Sequence, residues 1–314
     1  MSYLLLIIGF VLLIKGADFF VDGSSSLAKR FKIPEIIIGL TIVAMGTSAP
    51  EAAVSLSAAL NKANGIVVGN VIGSNIFNLL MVVGFCSVIK PFTVKREVMK
   101  SEFPLSIYAA VFALLLCFDS IIPGRENMLG RIDGILLLLC IVLFIVSQVR
   151  NALKANKTEE ESEIEILSPV KTAIYIIFGI AAVIWGGDMV VSAATDIAKS
   201  FGVSDHLIGL TIVAIGTSLP ELVTSIVAAR KGESDLALGN VIGSNIFNIF
   251  FILGLSSAVT PVAIASASLV DIGILIGISL VAYILTALKK GVARWHGVLY
   301  VLMYAAFTAY IIIR

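Results

Sequence analysis

The sequence repeats itself once, and this repeat constrains the fold more than any other feature of the chain. Residues 39–84 align with residues 209–254 at a constant offset of 170 without a gap, and 25 of the 46 positions are identical. The first copy contains GLTIVAMGTSAPE and GNVIGSNIFN, and the second contains GLTIVAIGTSLPE and the same GNVIGSNIFN. The register extends beyond these blocks, for example to Pro91 and Pro261. Each half of the chain is therefore predicted to form the same structural unit.

Long apolar stretches fill both halves. The chain of 314 residues is 59% hydrophobic and 14% charged, whereas soluble domains carry about 25% charged residues. Apolar runs of about 20 residues are long enough to cross the hydrocarbon core of a bilayer as helices. We therefore expect an all-α, multi-pass protein of the cell (inner or plasma) membrane. The predicted spans lie near residues 3–22, 33–60, 65–89, 103–119, 130–149, 169–195, 205–229, 235–259, 267–287 and 295–313.

Each half holds five of the ten predicted spans. Because five is an odd number, the second copy enters the membrane from the opposite side, and the two units are predicted to be inverted repeats. Residues 1–149 and 169–314 form the two five-helix repeats, and the glutamate-rich segment 150–168 forms a cytoplasmic linker between them. Inverted repeats are typical of secondary transporters, although a cation channel can use them too.

Lys and Arg residues are distributed unequally among the predicted loops. Sixteen lie in the odd-numbered loops, and five lie in the even-numbered loops and at the C-terminus. Since cytoplasmic loops carry the excess of basic residues, we expect the odd loops in the cytoplasm and both termini on the extracytoplasmic side. The net charge of +1 suggests no nucleic-acid partner. The three cysteines lie in apolar runs without the spacing of metal ligands or a disulfide framework.

Two glutamates lie near the centres of predicted spans. Glu51 and Glu221 occupy equivalent positions in spans two and seven, where a charged residue costs about 2.5–3.5 kcal/mol on insertion scales. No Lys or Arg lies at matching depth, so a bound cation is the expected counter-charge; the alternative is a protonated, hydrogen-bonded pair with a structural role. Pro50 and Pro220 precede the glutamates and should interrupt their helices. We expect broken helices in spans two, three, seven and eight.

Polar side chains accompany both glutamates at helical spacing. Ala44, Ser48, Glu51 and Ser55 share one face of span two. The other members of the first copy are Thr47, Asn70, Ser74 and Asn78, and those of the second copy are Thr217, Ser218, Asn240, Ser244 and Asn248. The atoms of these residues that could bind a metal ion are all oxygens, and hard cations prefer oxygen ligands. Two carboxylates match the charge of one Ca²⁺, and the same oxygens can hold several Na⁺ ions.

The two motif pairs closely resemble the α-repeats of the sodium/calcium exchanger family, in its prokaryotic type without a regulatory domain. The resemblance implies a secondary active antiporter that exchanges Na⁺ for Ca²⁺ by alternating access. It implies that Glu51 and Glu221 bind Ca²⁺ and that Thr47 and Thr217 assist. It also implies flanking Na⁺ sites, formed by the side chains of Ser48, Ser74, Ser218 and Ser244 and by the carbonyls of Ala44 and Ala214.

One position differs from some relatives. Asn78 matches the usual asparagine of the first repeat, but Asn248 stands where some relatives carry Asp. Relatives that also transport K⁺ tend to have the acid there, so Asn248 argues against K⁺ dependence. We nevertheless include both asparagines in the predicted ion site.

Alternatives to Na⁺/Ca²⁺ exchange remain at this stage. A Ca²⁺/H⁺ antiporter would use the same glutamates, and a cation channel would need no counter-ion. An enzyme is disfavoured because the sequence has no cluster of His or Cys residues. We expect no cofactor beside the transported Ca²⁺ and Na⁺, and a protein that functions as a monomer in the lipid bilayer.

Overall fold

The structure, a computed structural model, describes residues 2–118, 127–154, 166–202 and 214–313. Within these ranges the chain is almost entirely helical. The helices are α1 (Ser2–Phe31), α2 (Glu35–Thr47), α3 (Ala49–Leu60), α4 (Asn64–Ile89), α5 (Arg96–Leu116), α6 (Arg131–Lys154), α7 (Pro169–Ser200), α8 (Ala214–Gly216), α9 (Leu219–Lys231), α10 (Ser234–Val259), α11 (Ser266–Lys289) and α12 (Arg294–Ile313).

Nine of the ten predicted spans correspond to helices with the length and composition of membrane spans. Eight of the helices in the described residues pass this test alone, and the bent pair of α2 and α3 supplies a ninth span. The predicted span 205–229 is described only from residue 214, as α8 and α9. The total of ten therefore stays a prediction. The predicted linker 150–168 begins inside α6, and its residues 155–165 lie outside the described ranges.

The first span ends nine residues later than predicted. Helix α1 continues to Phe31 and ends where Lys32 adopts a left-handed conformation with φ of 55°. Pro34 follows two residues later, and a proline disfavours helical geometry in the residue before it. The buried serines 24–26 continue the helix because they pack inside the protein, which the hydropathy pattern alone does not indicate.

Four two-residue strands show how the two halves are related. Strand β1 (Phe92–Thr93) pairs with β4 (Gly291–Val292), and β2 (Met128–Leu129) pairs with β3 (Val262–Ala263), both antiparallel. The strands β1 and β3 are equivalent in the repeat. Helix α5, which has 21 residues and is therefore about 30 Å long, lies between β1 and β2 in the chain. The two strand pairs therefore lie at opposite ends of the bundle. Equivalent loops at opposite ends are the arrangement that inverted repeats require.

Polar contacts gather the odd-numbered loops at one end of the bundle. Lys231, at the end of α9, pairs with Asp22 of α1 at 2.8 Å. Lys95, which follows α4, pairs with Asp235 of α10 at 2.8 Å. The Arg30 guanidinium of α1 donates to the Leu167 carbonyl just before α7. The segregation of loops expected from the basic residues is therefore present in the fold.

Helices α1 and α7, which lead the two repeats, pack closely along their length. A Cβ atom added at Gly16 would lie 2.8 Å from the Val183 backbone nitrogen, and one added at Gly186 would lie 2.6 Å from the Leu13 nitrogen. Only glycine permits such close backbone approach between helices. The two helices thus form one closely packed pair.

The predicted break in span two is confirmed. Helices α2 and α3 meet at an angle of 49°, and the residue between them, Ser48, has φ and ψ of −82° and 9°. In the second repeat, α9 begins after Ser218, whose φ and ψ are −93° and 7°. In both halves a proline occupies the first turn of the new helix, where its missing N–H is tolerated.

Spans three and eight are continuous, so the expected breaks there are wrong. Each is one helix with a π-helical segment inside it, Asn78–Val82 in α4 and Asn248–Leu253 in α10. Neither helix contains proline, so the backbone keeps its hydrogen bonds and widens instead of breaking. Such π-helical segments occur frequently at functional sites.

Candidate ion-binding site

The two central glutamates lie at the N-termini of half-helices. Glu51 is in the first turn of α3 and Glu221 is in the first turn of α9. Their side chains are 0% and 1% exposed. The positive end of the helix dipole favours a carboxylate at this position. The helix break and the proline therefore place each carboxylate in the protein interior, where the helix dipole partly compensates its negative charge.

Serines from the opposite repeat hold both carboxylates. The Ser218 hydroxyl donates to Glu51 Oε1 at 2.9 Å, and the Ser48 hydroxyl donates to Glu221 Oε1 at 2.8 Å. Ser74 Oγ lies 3.5 Å from the same Glu51 oxygen. The sequence-predicted residues Ser48, Ser74 and Ser218 are thus brought together with both glutamates.

Asn70 connects the first half of the site to the second. Its amide nitrogen donates to Ser55 Oγ at 2.8 Å and to the Glu51 carbonyl at 3.1 Å. Its amide oxygen accepts from the Thr217 hydroxyl at 3.5 Å. Both ends of the Asn70 amide are therefore hydrogen-bonded within the protein. This indicates that Asn70 has a structural role beside the site.

Asn240 repeats this arrangement in the second half. Its amide nitrogen donates to Ser225 Oγ at 2.9 Å, and its oxygen accepts from the Thr47 hydroxyl at 3.0 Å. Thr47 and Ser244 are both buried. At the offset of 170 residues the two contacts of Asn240 repeat those of Asn70 with Ser55 and Thr217. The two serine–carboxylate bonds are related in the same way, so the pseudo-two-fold axis of the repeat passes through the site.

Five buried oxygens of the predicted site have no hydrogen-bond partner among the residues that the structure describes. They are Glu51 Oε2, Glu221 Oε2, Ser244 Oγ, Asn78 Oδ1 and Asn248 Oδ1. Buried polar atoms are nearly always paired, so a group of unpaired atoms requires an explanation. Carboxylate, hydroxyl and amide oxygens are the ligands of hard cations such as Ca²⁺ and Na⁺. The donor set therefore fits these ions as substrates.

The structure adds two residues that sequence reasoning missed, Asn75 and Asn245. Asn78 Nδ2 donates to Asn245 Oδ1 at 3.1 Å, and Asn248 Nδ2 donates to Asn75 Oδ1 at 3.0 Å. The amide nitrogens of Asn75 and Asn245 donate to each other's backbone carbonyls at 3.2 and 3.3 Å. A signal was present in the sequence, because both asparagines belong to the ten-residue block that the repeat leaves unchanged.

The predicted set also includes the backbone carbonyls of Ala44 and Ala214. The Ala44 carbonyl accepts the backbone N–H of Ser48 at 3.0 Å. Ala214 begins the short helix α8, directly after residues outside the described ranges. Their role as Na⁺ ligands stays a prediction.

Glycines in α10 set the distance between the two repeats. A Cβ atom at Gly239 would lie 2.7 Å from the Ile36 carbonyl oxygen, and one at Gly243 would lie 2.6 Å from the Leu40 carbonyl oxygen. The Gly-x-x-x-Gly spacing of these two residues is typical of helices that approach closely. The equivalent contacts of Gly69 and Gly73 would fall on residues 206–210, which lie outside the described ranges.

Two acids, Glu51 and Glu221, lie at the centre of the site. Across the described residues, no group of three or more His, Cys, Asp or Glu side chains is placed to hold a metal ion. The donors around Glu51 and Glu221 are mainly neutral oxygens. Such a site suits a cation that binds and leaves more than one that is held permanently.

Comparison with known proteins agrees with this geometry. The family model described as sodium/calcium exchanger protein matches residues 1–150 and 171–313. The chain belongs to the sodium/calcium exchanger family. It is accordingly a multi-pass membrane transporter and not an enzyme.

Individual relatives cover nearly the whole chain. The sodium/calcium exchanger MaX1 of Methanosarcina acetivorans is 34% identical over 339 residues, which span 98% of this chain and 97% of that protein. The putative antiporter CaxA of Alkalimonas amylolytica is 42% identical over 294 residues, or 92% of this chain and 90% of that protein. A solved structure of the sodium-calcium exchanger NCX_Mj superposes with a TM-score of 0.85 at 32% identity, covering 99% of this chain and 98% of that chain.

Proposed function

We propose that this protein exchanges Na⁺ for Ca²⁺ across the cell membrane by alternating access, with Glu51 and Glu221 as the central ligands. The observation that carries the proposal is the pair of fully buried carboxylates, each held by a serine of the other repeat. The pair matches the charge of one Ca²⁺. The relatives MaX1 and NCX_Mj are named as sodium/calcium exchangers, which supports Na⁺ as the counter-ion.

The remaining ligands follow from their position around the glutamates. The hydroxyls of Ser48, Ser74, Ser218 and Ser244, those of Thr47 and Thr217, the amide oxygens of Asn78 and Asn248, and the carbonyls of Ala44 and Ala214 complete the proposed set. All are oxygens, so they can coordinate one Ca²⁺ or several Na⁺ ions.

Coupling of the two fluxes follows from the charge of the site. Ca²⁺ and Na⁺ compete for Glu51 and Glu221 and cannot all be bound together. Without a cation, two like charges remain in a poorly solvated place, and this disfavours the change between inward and outward states. The change between the two states therefore requires bound Ca²⁺ or bound Na⁺. As a result, the flux of Ca²⁺ depends on the flux of Na⁺.

We propose the same topology for the whole chain as the sequence predicts. Residues 1–149 and 169–314 form the inverted repeats, joined by the linker 150–168, and the protein acts as a monomer in the lipid bilayer. The odd loops at one end of the bundle carry most of the basic residues, which supports a cytoplasmic position for them and extracytoplasmic termini.

Transport in reconstituted vesicles tests the function. Uptake of radioactive Ca²⁺ should require an outward Na⁺ gradient, and gradients of K⁺ or H⁺ imposed singly should not replace it. Uptake driven by an H⁺ gradient without Na⁺ would contradict the proposal in favour of a Ca²⁺/H⁺ antiporter. Ca²⁺ uptake that needs no counter-ion gradient would indicate a channel.

A further inference from the structure

We propose that Asn75 and Asn245 are positioning residues that orient the amides of Asn248 and Asn78, so that the amide oxygens of these two residues face the transported cation. The inference rests on the proposed function, since it concerns how the chain presents oxygen ligands to Ca²⁺. It extends the site by two residues that lie one position after the serines Ser74 and Ser244.

Two hydrogen bonds fix the direction of the Asn78 and Asn248 amides. Asn248 donates its Nδ2 to Asn75 Oδ1 at 3.0 Å, and Asn78 donates its Nδ2 to Asn245 Oδ1 at 3.1 Å. The nitrogen end of each amide is therefore occupied. The oxygen ends of Asn78 and Asn248 are buried and have no hydrogen-bond partner among the described residues.

The amides of Asn75 and Asn245 are themselves fixed. Each donates its Nδ2 to the backbone carbonyl of the other residue, at 3.2 and 3.3 Å. Their side chains are 1% and 3% exposed. Because these nitrogens are held by carbonyls, which only accept hydrogen bonds, their oxygens must point toward Asn248 and Asn78.

The orientation matters because the two ends of an amide have nearly the same shape and opposite polarity. If the Asn248 amide turned over, its oxygen would meet the Asn75 oxygen, and two acceptors would face each other. Its NH₂ group would then point at the cation, which it would repel. The polar partner, and not the packing, decides which end of the amide serves as ligand.

A purely structural role is the alternative. The four asparagines also join α4 to α10 near the pseudo-two-fold axis, and their loss would loosen this contact. A double-mutant cycle separates the two roles, because it asks whether the effect of Asn75 depends on the residue at position 248.

The experiment measures equilibrium Ca²⁺ binding to the purified full-length protein. Asn75→Leu removes the acceptor and should weaken binding about 10- to 100-fold, as loss of an outer-shell partner typically does. In the background of Asn248→Ala there is no amide left to orient, so the acceptor of Asn75 has nothing to position. There, Asn75→Leu should change the Ca²⁺ affinity by less than about threefold, well below that range.

The repeat supplies an internal replicate, and the chain supplies a control. Asn245→Leu with and without Asn78→Ala should give the same pattern. If Asn75→Leu does not fold, Asn75→Ser enters the same cycle, since its shorter side chain cannot hold the Asn248 amide. Gln148→Leu removes a buried amide of α6 and should leave Ca²⁺ affinity unchanged.

The outcomes are distinct. Equal losses of affinity in both backgrounds would overturn the inference in favour of a structural role, and so would unchanged binding by Asn75→Leu. A wild-type protein that binds no Ca²⁺ would instead refute the proposed function. A loss confined to the background with Asn248 would support the positioning role.

Discussion

Glu51 and Glu221 are linked through the serines that precede them by three residues. Ser48 lies in the break before Glu51 but donates to Glu221, and Ser218 lies in the break before Glu221 but donates to Glu51. A change in one helix break therefore moves a donor of the other carboxylate. This coupling is what a site shared by two repeats needs if it is to respond as a unit.

Replacing either glutamate by glutamine should abolish exchange. Glu51→Gln or Glu221→Gln keeps the size of the side chain but removes a charge from the proposed Ca²⁺ site. Since the two glutamates are the proposed direct ligands, the loss of Ca²⁺ affinity should exceed the roughly 100-fold effect of losing an outer-shell partner. Vesicle flux and equilibrium binding are the measurements. Glu97→Gln, at an exposed position of α5, is the matched control, and normal transport in either site variant would refute the assignment.

Acid should inhibit Ca²⁺ binding. A proton neutralises the same carboxylate oxygens that bind the cation, so lower pH should raise the Ca²⁺ concentration needed for half-saturation. High Ca²⁺ should restore binding, because the competition is for one site. Binding isotherms at a series of pH values check this, with thermal unfolding at the same pH values to exclude loss of the fold. Affinity that is constant or rises with acid would count against shared ligation by Glu51 and Glu221.

At the scale of helices, close packing of α10 against α2 places the ligands of the two repeats beside each other. Gly239 and Gly39 face each other, and a Cβ atom added to either would lie 3.0 Å from the Cα atom of the other. The π-helical segments then begin at Asn78 and Asn248, the two predicted amide ligands. In α10 the close contact at Gly239 precedes the start of the π-helical segment by nine residues, or about 13 Å along the helix.

Alanine at Gly239 should destabilise the protein. Its Cβ atom would lie 2.7 Å from the Ile36 carbonyl oxygen, and overpacking of this kind costs about 1–3 kcal/mol. We expect a lower temperature of thermal unfolding in detergent and weaker Ca²⁺ binding. Gly277→Ala is the matched control, since nothing in the described structure lies within 4 Å of a Cβ atom there. A Gly239 variant as stable as the control would contradict this packing.

The contact between α1 and α9 should respond to loss of Lys231. Its ammonium group lies 2.8 Å from Asp22 Oδ1 and 3.4 Å from Asp18 Oδ1. The groups are partly exposed, so Lys231→Met should weaken the contact by about 1 kcal/mol or less. Hydrogen exchange should become faster at the C-terminal end of α1. Lys100→Met, at an exposed site on α5, should have no such effect, and equal exchange in both variants would rule out a stabilising ion pair.

For the whole molecule, the strand pairs at the two ends tie the repeats together. Each pair takes one strand from each half of the chain, β1 with β4 and β2 with β3. The two repeats therefore enclose the site jointly, and neither half contains both glutamates. We expect that transport requires the complete chain.

The proposed orientation can be tested by labelling introduced cysteines. In a background in which Cys86, Cys117 and Cys140 are replaced, Lys90→Cys lies at the end with the odd loops and Asn61→Cys at the other end. A membrane-impermeant reagent applied to intact cells should label Asn61→Cys, and should label Lys90→Cys only after the membrane is opened. As the control for reactivity, both introduced cysteines should be labelled once the membrane has been opened. Labelling of Lys90→Cys but not Asn61→Cys in intact cells would mean that the orientation is the opposite of the one proposed.

Much of this protein could be predicted from the sequence because its two strongest signals are local in the chain. Apolar runs of span length predicted nine helices close to their observed positions, and the unbroken alignment of the repeats implied inversion from the parity of the spans. Pro50 marked the break in span two. Glu51 and Glu221 stood out because an unpaired charge inside an apolar run requires a counter-charge.

The tertiary structure decided what depends on neighbours distant in the chain. No pattern in the sequence tells that Ser48 serves Glu221, because the serine lies three residues from Glu51 and 173 residues from its partner. The continuity of α4 and α10 also had to be observed, since a π-helical segment satisfies the backbone and carries no proline signal.

One physical reason explains why some features could be predicted from the sequence and others required the tertiary structure. Composition and periodicity fix which segments are helices and that the two halves are alike, since each depends on residues near one another in the chain. Hydrogen bonds such as that from Asn248 to Asn75 depend on how the helices pack across the pseudo-two-fold axis, which only the folded protein defines. The sequence by itself determined the inverted repeats and the two carboxylates, and the tertiary structure alone decided which side chains hold and orient the ligands around them.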